Sequence, residues 1–149
     1  MTGPQPAGAP GPDPTHVPVP QLRRYAQALL TARGVPERIA RDVAEVLVAA
    51  EARGFASHGL IRLGRIITGL SAGTHNPMAE PSFDGDGIIR RVDGGFGLGH
   101  HTANVIMNRL IGTAREHGIA IATARRITHF GFGGFYAEMA AAVGLVGLV

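Results

Sequence analysis

Ala52-Arg53-Gly54-Phe55-Ala56-Ser57-His58-Gly59-Leu60-Ile61-Arg62-Leu63 separates two helical patterns and crowds polar side chains into the joint between them. Gly54 suits a helix stop, because glycine takes the left-handed conformation at little cost. Ser57 is placed to cap the following helix, its hydroxyl accepting from N–H groups two or three residues on. His58 then falls in the first turn of that helix and Arg62 one turn later, on the same side. A hydroxyl, an imidazole, free N–H donors and a guanidinium would converge where a helix N-terminus favours an anion. The plainer reading of the same residues is a helix–turn–helix joint with a capping serine and a surface histidine.

Upstream of the joint, Leu22, Tyr25, Ala26, Leu29 and Leu30 recur at helical spacing, and Gly34 closes that segment. Pro36 opens a second helix at a position that tolerates proline. Its stripe is Ile39, Val43, Val46, Leu47 and Ala50, with Arg38, Arg41, Asp42 and Glu45 largely on other faces. Downstream, Leu60, Leu63, Ile66, Ile67 and Leu70 mark a third helix that ends at Ser71-Ala72-Gly73. Residues 21–73 are therefore expected to form a three-helix subdomain. A DNA-binding arrangement of these helices is disfavoured, because Gly59 would sit in the recognition helix.

Residues 1–20 hold seven of the ten prolines and no apolar periodicity, which predicts a disordered leader. That leader lacks the basic start and apolar run of a secretory signal. No stretch is long and apolar enough to span a membrane.

The second part, residues 74–149, reads as α/β. A loop from Thr74 to Gly87 leads to a short strand, Ile88 to Val92. Asp93-Gly94-Gly95-Phe96-Gly97-Leu98-Gly99 is expected as a tight loop entering a helix. It lacks the Gly-x-Gly-x-x-Gly spacing of a dinucleotide loop, since positions 100 and 102 are His and Thr. The helix that follows turns Ala103, Ile106, Met107, Leu110 and Ala114 inward and ends at His117-Gly118. Ile119 to Ala124 is expected as a buried strand, and Arg125 to Gly134 as a polar, glycine-rich loop. A helix from Phe135 to Val143 follows, and then an apolar strand from Leu145 to Val149. Alternating strands and helices imply α/β architecture. His129 falls in a loop after a strand, where open α/β sheets commonly place their sites.

Composition narrows the chemistry. The 149 residues are 45% hydrophobic, enough for one core. Cysteine is absent, which excludes disulfides, thiolate metal sites and a cysteine nucleophile. All 14 basic residues are arginine, so no lysine is present for Schiff-base or acid/base work. The net charge of +3 is spread among acids and tryptophan is absent, unlike the basic, aromatic stripe of a nucleic-acid binder. No nucleic-acid partner is expected.

The seven histidines divide by setting. His100 and His101 are adjacent and point in different directions on a helix. His117 precedes a helix-ending glycine, and His16 and His75 lie in loops. No His-x-x-x-His pair or histidine–carboxylate constellation marks a metal site, so no metal is expected. His58 and His129 remain, each in a junction ahead of a helix.

Taken together, Ala52-Arg53-Gly54-Phe55-Ala56-Ser57-His58-Gly59 with Arg62-Leu63, Gly97-Leu98-Gly99, His117-Gly118-Ile119 and Thr128-His129-Phe130-Gly131 resemble the malate/L-lactate dehydrogenase family. This non-Rossmann family also holds ureidoglycolate and sulfolactate dehydrogenases and cyclic imino-acid reductases. The resemblance runs from about Val17 to Val149. It implies NAD- or NADP-dependent hydride transfer at C2 of a small 2-hydroxy or 2-oxo acid, in a cytoplasmic homodimer. An imidazole titrating near neutrality suits the accompanying proton transfer in both directions. His129 takes the family's His-Phe-Gly position and is the first choice for that role. His58 is the alternative; otherwise it orients substrate or nicotinamide, with Ser57 fixing its ring. Arg62 suits the substrate carboxylate. Family members are much longer, so the resemblance also implies the N-terminal portion of an enzyme, with most cofactor-binding residues beyond Val149. The competing expectation is an inactive remnant or a small interaction module whose histidines are structural.

Overall fold

The computed structural model describes residues 16–149, and the expectation of disorder for residues 1–15 lies outside them. Helix α1 (Val19–Thr31) begins with Pro20 in its first turn, where a missing N–H leaves no bond unmade. Val19 and Pro20 therefore belong to the helix rather than to the leader. Helix α2 (Glu37–Ala52) follows directly on Pro36. A single 3₁₀ turn, Ala56–His58, leads into α3 (Ile61–Ser71). Strands β1 (Ser82–Asp84) and β2 (Ile89–Gly97) precede the long helix α4 (Gly99–His117). Strand β3 (Ile121–Ile127) and helix α5 (Gly133–Ala141) complete the order.

Helix α2 is the centre of the packing. Nine of its residues are buried, from Ile39 to Ala50, more than one stripe can account for. A helix apolar on several faces must be covered on several faces. Ala40, Val43, Ala44 and Leu47 pack with Ala26 and Leu30 of α1, Leu63 and Ile66 of α3, and Leu98. Val46 faces a second cluster with Met107 of α4 and Tyr136 and Ala140 of α5. Each fully buried leucine or valine contributes roughly 1.5–3 kcal/mol relative to exposure.

The sheet has order β1-β2-β3. β1 pairs with β2 antiparallel, Phe83 opposite Val92; β2 pairs with β3 parallel, Val92 opposite Ala124. Helix α4 makes the crossover between the parallel pair, as parallel strands require. Three expectations for this region are corrected. β1 lies inside the stretch expected as loop. The glycine-rich stretch expected as a loop is the end of β2. There the step from Asp93 to Gly97 is matched by the step from Arg125 to Ile127, so β2 bulges. Gly95 and Phe96 both take positive φ in the bulge, 56° and 58°. Arg125 to Ile127 accordingly belongs to β3, not to the loop that follows.

The strand expected as buried is largely exposed, with Ile121 at 47%. Small and β-branched residues favour strand conformation, but burial needs a covering layer, and β3 lies at the edge of the sheet. Leu145–Val149, expected as a strand, is irregular. No described strand pairs with it, and its backbone bond runs back to the helix, Leu145 N–H to the Ala140 carbonyl at 3.0 Å.

Candidate functional site

Helix α2 ends as Gly54 predicts. Gly54 has φ +76°, its N–H donates to the Glu51 carbonyl, and the Phe55 N–H donates to the Ala50 carbonyl. This paired pattern meets the last carbonyls of the helix. The capping role assigned to Ser57 is not what the structure shows. Ser57 Oγ lies 2.9 Å from His58 Nδ1, and α3 has no cap from it. The N–H of Leu60 is met instead by Glu51 Oε2 at 3.0 Å, a carboxylate from the last turn of α2. Gly59 makes this possible, because a Cβ there would collide with that carboxylate. An anion at a helix start is doubly favourable, as acceptor and as charge. Glu51→Ala is expected to cost about 1 kcal/mol, the usual price of a lost cap, read as a lower urea midpoint. An unchanged midpoint would remove Glu51 from this role.

His129 stands on a loop tied down at both ends. Thr128 Oγ1 accepts from the Gly99 N–H at 2.9 Å, and the Thr128 N–H donates to the Gly97 carbonyl at 3.3 Å. Gly99 lies so close to the Thr128 and His129 carbonyls that no side chain fits. On the other side, Gly131 has φ +89°, and a Cβ there would lie 2.7 Å from Val46 Cγ1. Between them the Tyr136 hydroxyl donates to the Phe130 carbonyl at 2.5 Å. The α4 start, α2 and α5 thus hold one five-residue connection against the joint after α2.

The four residues singled out in sequence come together here. The His58 and His129 rings lie 5.6 Å apart, centroid to centroid, at 41°. Arg62 donates through Nε to the Ser57 carbonyl at 2.5 Å, and among the described residues this is its one side-chain hydrogen bond, which leaves its two terminal nitrogens unpaired. Burial lowers the His129 pKa below 6.5, and the nearby charges of Arg62, His58 and Arg65 act in the same direction. Near neutrality His129 is therefore a neutral imidazole, able to take a proton. His58 belongs to the 3₁₀ turn rather than to the first turn of α3, which brings its ring toward His129.

Two histidines that sequence reasoning set aside are the most buried of the described ones. His100 is 1% exposed and lies edge-on to His129, with centroids 6.0 Å apart. Burial, with the charges of His129 and Arg62, pushes its pKa down to about 3, and neither ring nitrogen has a hydrogen-bond partner. His101, the next residue, is the opposite case. Its Nδ1 lies 2.6 Å from Asp42 Oδ2 and its Nε2 3.1 Å from Glu80 Oε2. Burial opposes its charge, but the bonds to Asp42 and Glu80 outweigh burial and raise its pKa. Asp42 is held below the carboxylate range, since bonds from His101 and Asn104 outweigh its own burial. Arg38 pairs with Glu80 beside them.

A histidine–carboxylate constellation therefore exists, contrary to the sequence expectation, assembled from α2, α4 and the loop before β1. The two carboxylates address opposite ring nitrogens, which makes a clamp rather than a chelate. Among the described residues no three such side chains are grouped to hold a metal ion. The signal in sequence was a pair of polar residues opening an otherwise apolar helix.

The glycines of β2 do not form a dinucleotide cradle. A Cβ at Gly94 would meet the Ile127 side chain, and one at Gly97 would meet Ala79, so protein already fills that space. No described helix is long and apolar enough to cross a membrane.

Comparison with known proteins agrees with this architecture. A sequence model described as malate/L-lactate dehydrogenase matches residues 17–149. The L-lactate dehydrogenase of Cupriavidus necator is 41% identical over 125 residues, which is 83% of this chain and 36% of that protein. The solved malate dehydrogenase of Pyrococcus horikoshii superposes with a TM-score of 0.85 at 37% identity, covering 87% of this chain and 38% of that one. The sulfolactate dehydrogenase of Methanocaldococcus jannaschii gives 0.81 at 31% identity, covering 84% and 37%. The chain thus spans little more than a third of the length of these relatives. With its Ser-His-Gly joint and His-Phe-Gly loop facing each other on a shared fold, the chain belongs to the malate/L-lactate dehydrogenase family.

Proposed function

We propose that this chain carries the acid/base and carboxylate-binding groups of an NAD- or NADP-dependent dehydrogenase. The substrate is a small 2-hydroxy or 2-oxo acid of the malate, lactate, ureidoglycolate or sulfolactate type. The observation that supports this reading most is the convergence of His129, His58 and the free end of Arg62 at one joint. The family's members named above are dehydrogenases of such acids. A cytoplasmic homodimer, as the family resemblance implies, is part of the same proposal.

His129 takes the hydroxyl proton as the C2–H bond gives up its hydride, and returns it in the reverse direction. His58, fixed by Ser57, orients the substrate, and is the second choice for the proton. The terminal nitrogens of Arg62 grip the carboxylate in a two-point fork. When bound, the nicotinamide supplies the hydride acceptor; no described residue is assigned to hold it.

Binding is tested without turnover, by following the ring signals of His58 and His129 in NMR as pyruvate or oxaloacetate is added. Both are expected to shift, and Arg62→Ala is expected to weaken the titration about 10- to 100-fold, the worth of a charged hydrogen-bonded contact. Ring signals that ignore both acids would favour structural histidines.

A further inference from the structure

Tyr136 is among the largest fully buried side chains, and sequence reasoning gave it no part. Its hydroxyl lies between two carbonyls, Phe130 at 2.5 Å and His100 at 3.3 Å. Phe130 follows His129 directly in the chain, and the His100 ring stands edge-on to the His129 ring. One hydroxyl therefore links the carbonyl of Phe130, the residue after His129, to the carbonyl of His100, the residue whose ring packs on His129. The Phe130 and Tyr136 rings lie 5.9 Å apart, which seats the phenol under the same loop.

A single O–H has one proton to give. The short bond to Phe130 takes most of it, and the His100 carbonyl is the second acceptor. Burial, helped by the charge of Asp42, raises the phenol above its ordinary value of 10.0, so the group stays protonated at any working pH. The donation is permanent. Elsewhere the loop is held by the Thr128 hydroxyl at its start, by Phe130 and Phe132 packed into the second core cluster, and by Gly131, which leaves no room for a Cβ beside Val46. The His129 side chain itself has no hydrogen bond among the described residues, so its place depends on how firmly these peptides are held.

Given the dehydrogenase reading above, the geometry points to Tyr136 as a positioning residue that holds His129 toward His58 and Arg62. It acts through the Phe130 carbonyl and touches no reacting group. Freed from this bond, the loop moves outward, the ring gains water, and its distance from Arg62, His58 and Arg65 grows. The His100 ring loses its alignment at the same time.

The experiment is an NMR titration of the His129 ring in the complete chain without substrate. Tyr136→Phe, which removes only the oxygen, is expected to raise the apparent pKa of His129 by about half a unit, on the order of a threefold change in proton affinity. Phe135→Leu is the control. Phe135 packs 5.3 Å from the Tyr136 ring without sharing its bond, so its loss is expected to leave the His129 titration in place. An unmoved pKa in Tyr136→Phe overturns the proposal, and so does an equal shift in both variants. In the unaltered chain the bond is read directly, as a slowly exchanging Tyr136 hydroxyl proton with cross-relaxation to the Phe130 backbone. A rapidly exchanging hydroxyl also overturns it. No substrate enters these measurements, so their failure is distinct from a failure of the 2-oxo acid titration.

Discussion

On the proposed acid/base role, replacing His129 by alanine is expected to lower kcat about a hundred- to ten-thousand-fold, the usual worth of a positioned acid/base. The measurement is oxidation of NADH or NADPH with a 2-oxo acid, by unaltered protein and variant. The fold should survive the change. The His129 side chain is only partly desolvated, and the bonds that hold its loop come from Thr128, Phe130 and Gly99. The pH dependence carries more information than the rate. The His129 pKa is lowered below 6.5, by burial first and then by Arg62, His58 and Arg65. Hydroxy-acid oxidation needs the neutral ring, so its rate should fall as pH drops through that lowered value. Oxo-acid reduction needs the protonated ring and should rise over the same interval. His129→Ala removes this limb. His58→Ala should keep it and move it upward, because one of the charges depressing His129 is gone. A limb that persists in His129→Ala and vanishes in His58→Ala would exchange the two roles.

What could be read from sequence was what local physics decides. The stripes of α1, α2 and α3 and their stops at Gly34, Gly54 and Gly73 follow from periodicity and from glycine's left-handed freedom, and all three glycines take positive φ. Partners distant in sequence were not legible. Leu60 is capped by Glu51, nine residues upstream, rather than by the nearer Ser57. The glycines of 94–97 looked like a loop, yet they continue a strand because β3 pairs with them across a bulge. Leu145–Val149 has strand composition but no strand beside it. The motif residues His58, Arg62 and His129 were legible as a set, whereas His100 and His101 were not. Adjacent positions on a helix diverge, but sequence alone does not say what each ring meets. The divergence sends one ring to His129 and the other to Asp42 and Glu80.

That divergence gives the chain opposite acid and alkaline responses from neighbouring residues. His100 has its pKa pushed from 6.5 down to about 3, so the unfolded chain binds its proton well before the folded one. Its contribution to stability is complete above 6.5 and is lost as pH falls toward 3. Each pH unit in that window removes about 1.4 kcal/mol, giving a loss on the order of 5 kcal/mol at the lower end. For a domain stable by roughly 5–15 kcal/mol, this is a large share. His101 runs the other way. With its pKa raised, its clamp on Asp42 and Glu80 is fully present below 6.5 and weakens as pH rises through the raised value. Asp42, whose pKa is lowered, loses its contribution only in stronger acid, below its ordinary 3.8. Urea midpoints from pH 4 to 8 should therefore fall on the acid side with a slope of about one proton through His100. His100→Leu should flatten that slope. The variant also removes two buried nitrogens that have no partner, so it should be no less stable at neutral pH and clearly more stable at pH 4.5. Parallel curves for the two proteins would mean that the His100 ring reaches water in the folded chain, and that its place against His129 is looser than the edge-on contact indicates.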